Sequence, residues 1–260
     1  MLFKHYKDLI GVSYQRMIPV YSNFADALAL EIGFQALEDF YGKNLFYEGV
    51  HYKLYGGFPD AERKLFCFLN GEQGFPVEEE QFPICCIRFS PVNKKFGEDL
   101  SHRDYLGTIM GLGITREQIG DILVQKDSTF RASLAYVFCK DTQKELLKEI
   151  TRIRHTTVKA EEIDFKDTGW TPEFKETFGT VSSLRLDAVV SLALKASRSQ
   201  VLSMIRDGNV TVSGRICTEN AKKLEEQTVF SVRGYGKFIF DQAGARTKKG
   251  RYQIKIKQYV

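Results

Sequence analysis

The sequence contains no apolar run near the roughly 18 residues that a membrane-crossing helix needs. Its opening, Met1-Leu2-Phe3-Lys4-His5-Tyr6, does not have the make-up of a signal peptide. A cytoplasmic location is therefore expected. Histidine is scarce and dispersed, with 4 in 260 residues, so a zinc site would need an unusual long-range assembly. The 5 cysteines, Cys67, Cys85, Cys86, Cys139 and Cys217, are odd in number and contain no Cys-x-x-Cys pair. Buried, reduced thiols are expected rather than a disulfide frame. Nucleotide chemistry lacks its motifs too. Gly107, Gly111 and Gly113 do not complete a dinucleotide fingerprint, because Arg116 stands where a glycine is required. The spacing of Gly107 and Gly111 suggests close helix packing instead. His102-Arg103-Asp104-Tyr105-Leu106 looks like a kinase catalytic loop, but the later Asn, a Gly-rich loop and an Asp-Phe-Gly string are missing. No cofactor, metal or small-molecule substrate is expected.

What is present is a globular composition, 43% hydrophobic and 27% charged, in a length that suits roughly two or three domains. The charge is unevenly placed. From Thr180 to Val260 there are 15 Lys plus Arg against 6 Asp plus Glu, a net +9, and the first 179 residues carry 22 against 27, a net −5. That asymmetry points to a nucleic-acid-binding end on a slightly acidic body.

The basic end also has the strongest local structure signals. Ser183 is a candidate N-cap for a helix with Leu184, Leu186, Val189, Val190, Leu192 and Leu194 on a broad apolar face, ending near Lys195. Ser197-Arg198-Ser199-Gln200 has capping-box spacing and opens a second helix, with Val201, Leu202 and Ile205 buried and Gly208 as its left-handed stop. Val210 and Val212 then alternate with polar residues up to a Ser213-Gly214 turn, and further β-runs follow at 229–232 and 238–240. Arg185, Arg198, Arg206, Arg215, Lys222, Lys223, Arg233 and Lys237 are spread over helix starts, turns and strand ends of this module. The second helix start, with Arg198 and the Ser199 hydroxyl, is a natural anion seat. A solvated charged surface is the bland alternative for any single arginine.

Arg185-Leu186-Asp187, the Ser197–Gln200 helix start and Gly208-Asn209-Val210-Thr211-Val212-Ser213-Gly214 together resemble the RNA-binding module named after small-subunit ribosomal protein four, here the S-four module. In that family two helices and a hairpin present a basic surface to structured RNA. By position, the resemblance implies RNA contacts at Arg185, Arg198, Ser199, Gln200, Arg206, Gly214, Arg215 and Lys223. Ser213 departs from the family, which usually has Asn there.

The rest of the chain reads as α+β. Residues 1–75 form an N-terminal α/β segment, with helical stretches His5–Met17 and Asn23–Tyr41 and β-like runs at 50–54 and 64–69. Gly56-Gly57 between those runs is either a plain strand-to-strand turn, the favoured reading, or a small anion cradle. Gly71–Pro76 reads as a linker. Residues 76–162 show the order strand 82–89, helix 103–112, strand 121–125, strand 130–138, helix 142–152, strand 156–160. This is the β-α-β-β-α-β order of a ferredoxin-like, RRM-type domain. Ser101 with Asp104, and Asp141, are the expected caps of its helices. Phe130–Tyr136 does not fit the stacking motif of RRM domains, so Tyr136 and Phe138 are assigned to the core. Residues 163–181 read as a connector, with an alternating run from Phe174 to Val181, and 182–260 as the S-four-type domain. A basic turn at 244–251, with Arg246, Lys248 and Lys249, is a further candidate RNA contact before a last strand whose Ile254 and Ile256 face inward.

Gly56–Arg63, His102–Gly107, Gly111–Ile122 and the terminal module together resemble the YlmH family of bacterial RNA-binding proteins. That resemblance implies a ribosome-associated protein of the division gene cluster, bound to the large subunit with peptidyl-tRNA in rescue of stalled translation. Its N-terminal segment departs from the family, since Asn23-Phe24-Ala25-Asp26 lacks the Pro-Arg-Glu string expected nearby.

Three function classes follow. The leading one is a non-catalytic protein that docks on structured rRNA or tRNA and reads shape through phosphate and 2′-OH contacts. The second is an RNA-modifying enzyme that uses the S-four module as a handle; turnover of bulk tRNA or rRNA would reveal it. The third is a division-linked adaptor, which would be recognised by a protein interaction that survives nuclease.

Overall fold

The computed structural model describes residues 1–43, 45–71, 77–126, 129 and 132–259. The linker reading at 72–76 and the start of the third central strand at Phe130 and Arg131 lie outside the described residues. The chain forms two compact units, Met1–Gly169 and Trp170–Val260. Among the described residues no helix is long and apolar enough to cross a membrane.

The first unit opens with α1 (Leu2–Arg16), β1 (Val20–Tyr21), α2 (Ala27–Tyr41), β2 (Tyr52–Tyr55) and β3 (Leu65–Phe68), with sheet order β1-β3-β2. The middle strand, Leu-Phe-Cys-Phe, is buried at every position, so it reads as a continuous apolar run rather than an alternation. Tyr6, Phe34 and Tyr52 pack edge-on or tilted around Phe66. Asp26 caps α2 by accepting from the Ala29 N–H at 3.0 Å, which moves the helix start past Asn23.

The same unit continues with β4 (Ile84–Pro91), α3 (His102–Gly111), β5 (Ile119–Lys126), β6 (Ser133–Lys140), α4 (Lys144–Lys148), β7 (Arg152–Ile153) and β8 (Thr156–Ile163). The sheet order β5-β6-β4-β8 with antiparallel pairing is the ferredoxin-like split arrangement. Ser101 and Asp104 form the capping box of α3. The helix expected at 142–152 is shorter. A 3-10 turn, Asp141–Gln143, leads into α4, no side-chain cap is made by Asp141, and Arg152–Ile153 is already strand. The β-branched residues Ile150, Thr151 and Ile153 favour that early exit. Gly107 and Gly111 do not mediate close packing: they are exposed and a Cβ on either would meet nothing within 4 Å. The buried residues of α3 are Tyr105 and Ile109, so the glycines fall on its solvent side.

The two faces of this sheet have different roles. Ile87, Phe89, Ala135, Val137 and Cys139 pack toward Tyr105, Ile109 and Leu147. Tyr136 and Phe138 point the other way and are covered by the chain's own aromatics: Phe58 stacks on Phe138 at 4.9 Å, and Phe165 meets Tyr136 and Phe138 at 5.4 and 5.0 Å. The sheet face on which RRM domains stack bases is therefore filled from within.

The Gly56-Gly57 turn makes this closure possible. Gly57 has φ +101°, and a Cβ there would lie 2.3 Å from the Phe138 ring. The N–H groups that follow hold an anion, but an internal one. Glu62 and Arg63 donate to the Asp121 carboxylate at 2.6 and 3.2 Å. The Arg63 guanidinium donates to the carbonyls of Ile119, Phe24 and Arg116. Arg116 adds bonds to Ile119 and Gly120. Burial, then the Arg63 charge, pushes Arg116 down to about 10, which leaves it protonated at neutral pH.

The second unit runs through β9 (Phe174–Val181), α5 (Leu186–Leu194), α6 (Arg198–Arg206), β10 (Val210–Val212), β11 (Arg215–Ile216), β12 (Thr228–Val232), β13 (Gly236–Arg246) and β14 (Tyr252–Tyr259). Its sheet order is β11-β10-β12-β13-β14-β9. The stretch 163–181, expected as a connector, thus contains a sheet strand: β9 pairs with β14 from Val181↔Tyr252 to Phe174↔Tyr259. Leu186, Val189, Val190, Val201 and Ile205 bury the helices against Phe230, Phe238, Phe240, Ile254 and Ile256. The N-cap of α5 is Arg185 rather than Ser183. The capping box of α6 forms as spaced, and Gly208 takes its left-handed stop at φ +72°. Ser213 and Gly214 both have positive φ, +51° and +78°, the type I′ hairpin geometry.

Gly57→Ala is expected to cost the first unit about 2 kcal/mol, from overpacking and a strained backbone, read as a lower urea midpoint. Ser213→Asn is expected to add about 0.5 kcal/mol to the second unit, because Asn tolerates the left-handed region better. A lower urea midpoint for Ser213→Asn would contradict the turn assignment.

Candidate nucleic-acid interface

The cations of the second unit are organised by one carboxylate. Asp187, in the first turn of α5, is fully buried. Its Oδ1 accepts from Arg185 Nε at 3.2 Å and from the Ala188 N–H at 2.9 Å. Its Oδ2 accepts from Arg185 Nη2 at 3.2 Å and from Arg198 Nε and Nη2 at 3.2 and 2.7 Å. Arg185 is the N-cap of α5 and Arg198 the first residue of α6, so one acid ties the two helix starts together. Burial pushes the Asp187 carboxyl up, but the Arg198 hydrogen bonds and the charges of Arg185 and Arg198 outweigh it and hold the group below its ordinary range. Two guanidinium groups against one carboxylate leave a net positive charge. The Arg185 and Arg198 side chains stay 37% and 62% exposed, which leaves their outer N–H groups accessible to an external anion.

The same backbone brings in two lysines. Leu186 N–H donates to Lys222 O at 2.9 Å and Asp187 N–H to Asn220 O at 3.2 Å. Arg185 and Lys223 form an isolated antiparallel bridge. Arg185, Arg198, Lys222 and Lys223 therefore form one group at the helix starts. Ser199 lies beside it, its hydroxyl 3.1 Å from that of Ser197. Gln200 has a structural task, accepting from the Ser197 N–H and hydroxyl at 3.1 and 3.0 Å.

The remaining expected contacts are placed elsewhere on the unit. Arg206 ends α6 and pairs with Asp207 at 3.3 Å. Gly214 and Arg215 stand at the tip of the β10–β11 hairpin, and Arg233 in the turn after β12. Lys237 is on the sheet face away from the helices, 4.5 Å over the Tyr259 ring. Arg246 lies 4.5 Å over the Tyr252 ring, and Lys248 and Lys249 occupy the exposed β13–β14 turn. That turn is tighter than the expected 244–251, because β13 continues to Arg246 and the Thr247 N–H closes it onto Arg251 O at 2.7 Å.

Asp187 was not among the expected site residues. The signal was present in Arg185-Leu186-Asp187, an acid in a helix's first turn two residues after an arginine, but its second partner, Arg198, becomes visible only once the helices are packed. What the arrangement can do is grip anions with forked, preoriented donors. Among the described residues no group of His, Cys, Asp and Glu could hold a metal ion.

Residues 77–167 match the family model described as "Putative RNA-binding domain in YlmH", and residues 184–229 match the S4 domain. The chain is 28% identical over 200 residues to ribosome-associated protein quality control protein P2 of Bacillus subtilis (strain 168), covering 76% of this chain and 74% of that protein. Its fold resembles the solved structure of cell division protein ylmH from Streptococcus pneumoniae with TM-score 0.49 and 22% identity, covering 64% of this chain and 92% of the other.

A carboxyl held below its unfolded value stabilises the fold above the unfolded pKa, and that stability is lost as pH falls through the folded one. Asp187→Asn is therefore expected to destabilise the second unit by about 2 kcal/mol at pH 7, discounted for the exposure of its partners. The difference from wild type should shrink as pH falls below about 4. Urea unfolding followed by the NMR signals of that unit measures both; a pH-independent gap would assign the loss to packing.

Proposed function

We propose that this chain, in which a segment matching the putative RNA-binding domain of YlmH precedes an S4 domain, acts by binding, docking on structured ribosomal or transfer RNA. The observation that carries this reading is the Asp187-anchored group of Arg185, Arg198, Lys222 and Lys223. It holds forked donors at two helix starts in a region of net charge +9. Rigid cations of this kind suit a folded polyanion whose phosphates and 2′-OH groups have fixed spacing. Arg206, Arg215, Arg233, Lys248 and Lys249 extend the reach along the backbone of the same RNA, as Gly214 does by letting the hairpin tip approach closely.

The named relative is a ribosome-associated quality control protein. The chemistry here suits the same setting: association with the large ribosomal subunit when peptidyl-tRNA is retained on it, in the cytoplasm, and without catalysis of its own. The central domain contributes to docking through surfaces other than the sheet face closed by Phe58 and Phe165.

If about five phosphates are neutralised, at a slope of about −0.7 per contact, affinity for tRNA or ribosomal RNA should fall roughly a hundredfold between 50 and 200 mM salt. Arg198→Gln and Lys223→Gln should each weaken binding and reduce the slope by roughly one contact. Sedimentation of the full chain with purified large subunits, and filter binding to tRNA, test this. A salt-independent affinity, or no effect of either substitution, would remove the helix-side contact map.

A further inference from the structure

The sheet of the second unit has a face that the helices do not cover, and its side chains alternate between aromatic rings and cations. Residues opposite one another in register share a face, and here Phe178 faces Lys255, Glu176 faces Lys257 and Phe174 faces Tyr259. Ile239 on β13 faces Lys257 in turn. Ile254, Ile256, Phe238 and Phe240 point to the opposite side and into the core with α5 and α6. Gly179 confirms the orientation, since a Cβ there would lie 2.4 Å from Leu192 of α5, which turns its neighbours Phe178 and Thr180 outward.

On this outer face Lys237 sits 4.5 Å over Tyr259, Lys255 5.6 Å from the centre of Phe178, and Lys257 5.7 Å from that of Phe174. Phe174 and Tyr259 meet edge to face at 4.9 Å. Arg251, at the mouth of the basic β13–β14 turn, donates to Thr180 Oγ1 at 3.1 Å and Thr180 O at 2.7 Å, which places its guanidinium beyond Phe178 along β9. Two carboxylates accompany these cations. Asp241, at the β-bulge, is buried beneath Lys255 and Lys257, and Glu176 pairs with Lys255 at 2.6 Å. The balance of Lys237, Arg251, Lys255 and Lys257 against Glu176 and Asp241 is positive, and the Lys248–Lys249 turn adds to it. Phe178 is 68% exposed in the middle of the stripe, on an edge strand where nothing in the core requires a large aromatic.

We propose that this face is a second RNA-contact surface, which stacks unpaired bases on Phe178 and its aromatic neighbours while the flanking cations follow the phosphates. It rests on the RNA-binding reading above and goes beyond it, because the matched S4 segment ends at residue 229 and the helix-side group addresses folded RNA. The occupant is single-stranded RNA. Net positive charge selects a polyanion, and an exposed ring between cations offers a π-face that any base can cover. A folded duplex would present phosphates but no free base.

The test uses the full chain with two probes, a 12-nucleotide oligouridylate and a blunt, fully paired RNA duplex. Phe178→Ala should weaken oligouridylate binding about tenfold while leaving its salt slope unchanged, since stacking releases no counterions. Duplex binding should stay within twofold, and Phe178→Trp should restore the oligomer. Lys223→Gln, which leaves the Asp187 pair intact, should show the reverse preference, weakening the duplex more. An oligomer affinity within twofold of wild type for Phe178→Ala, or an equal loss on both probes, would overturn the proposal and leave the β9 edge to a protein strand. A wild-type chain that binds the duplex but not the oligomer would sink this inference alone. One that binds neither would also remove the RNA-binding reading on which it rests.

Discussion

The C-terminal unit depends on a buried carboxylate shared by two guanidinium groups. Burying Asp187 would be prohibitive alone. Arg185, Arg198 and a backbone N–H together supply every lone pair with a donor, so the ion stays charged inside the protein. The cost of desolvation is offset only when both helix starts are in place, which makes the acid a register pin for the pair. The functional consequence lies on the other side of the arginines. A guanidinium held by one edge has already lost most of its rotamer freedom, so an anion approaching its free edge meets donors in fixed positions. The exposed side chains of Lys248 and Lys249, for which no carboxylate among the described residues plays the part of Asp187, offer charge without that preorganisation.

The first unit uses the same device for a different end. Arg63 reaches three backbone carbonyls, Asp121 takes two backbone N–H groups, and the segment after the Gly56-Gly57 turn is thereby fixed to the central sheet. With that segment in place Phe58 lies on Phe138, and Phe165 closes the rest. An RRM-like topology does not carry RRM chemistry with it. The strand aromatics join the domain to its N-terminal neighbour instead of facing solvent, which leaves loops and edges as its open surfaces.

How much of this was legible in the sequence depended on how local the determinant is. Capping boxes at Ser101 and Ser197, the Gly208 stop and the Ser213-Gly214 turn involve residues within a few positions, and each formed where its spacing put it. The ferredoxin-like order was readable because its strands and helices differ in period. The expected helix at 142–152 failed because its apolar spacing suited either state, and long-range pairing of β7 with β8 decided. Gly107 and Gly111 illustrate the converse: a close-packing spacing has no meaning until the buried side of the helix is known. Strand β9 was read as a connector because its partner, β14, lies more than seventy residues later, a pairing no local pattern encodes. Asp187 was hidden for the same reason. Its string is local, but the chemistry of that string comes from Arg198, on the next helix.

Pairing of β9 with β14 decides what its aromatic side chains can do. A connector with Phe174 and Phe178 exposed would be an unremarkable flexible segment. Paired to β14, the same alternation fixes both rings on one side of a rigid sheet, in register with Lys255, Lys257 and Tyr259. Helix starts and sheet then lie on opposite sides of one small hydrophobic core, and each has its own physics: hard, forked cations on one side and polarizable rings interleaved with cations on the other. Phosphates are drawn to the first by an attraction that salt weakens, whereas bases can stack on the second only when unpaired. On the proposed reading, a structured RNA and a loose strand leaving it would be met on opposite sides of one unit, with a single core of Phe230, Phe238, Phe240 and Ile256 keeping the two surfaces in fixed relation.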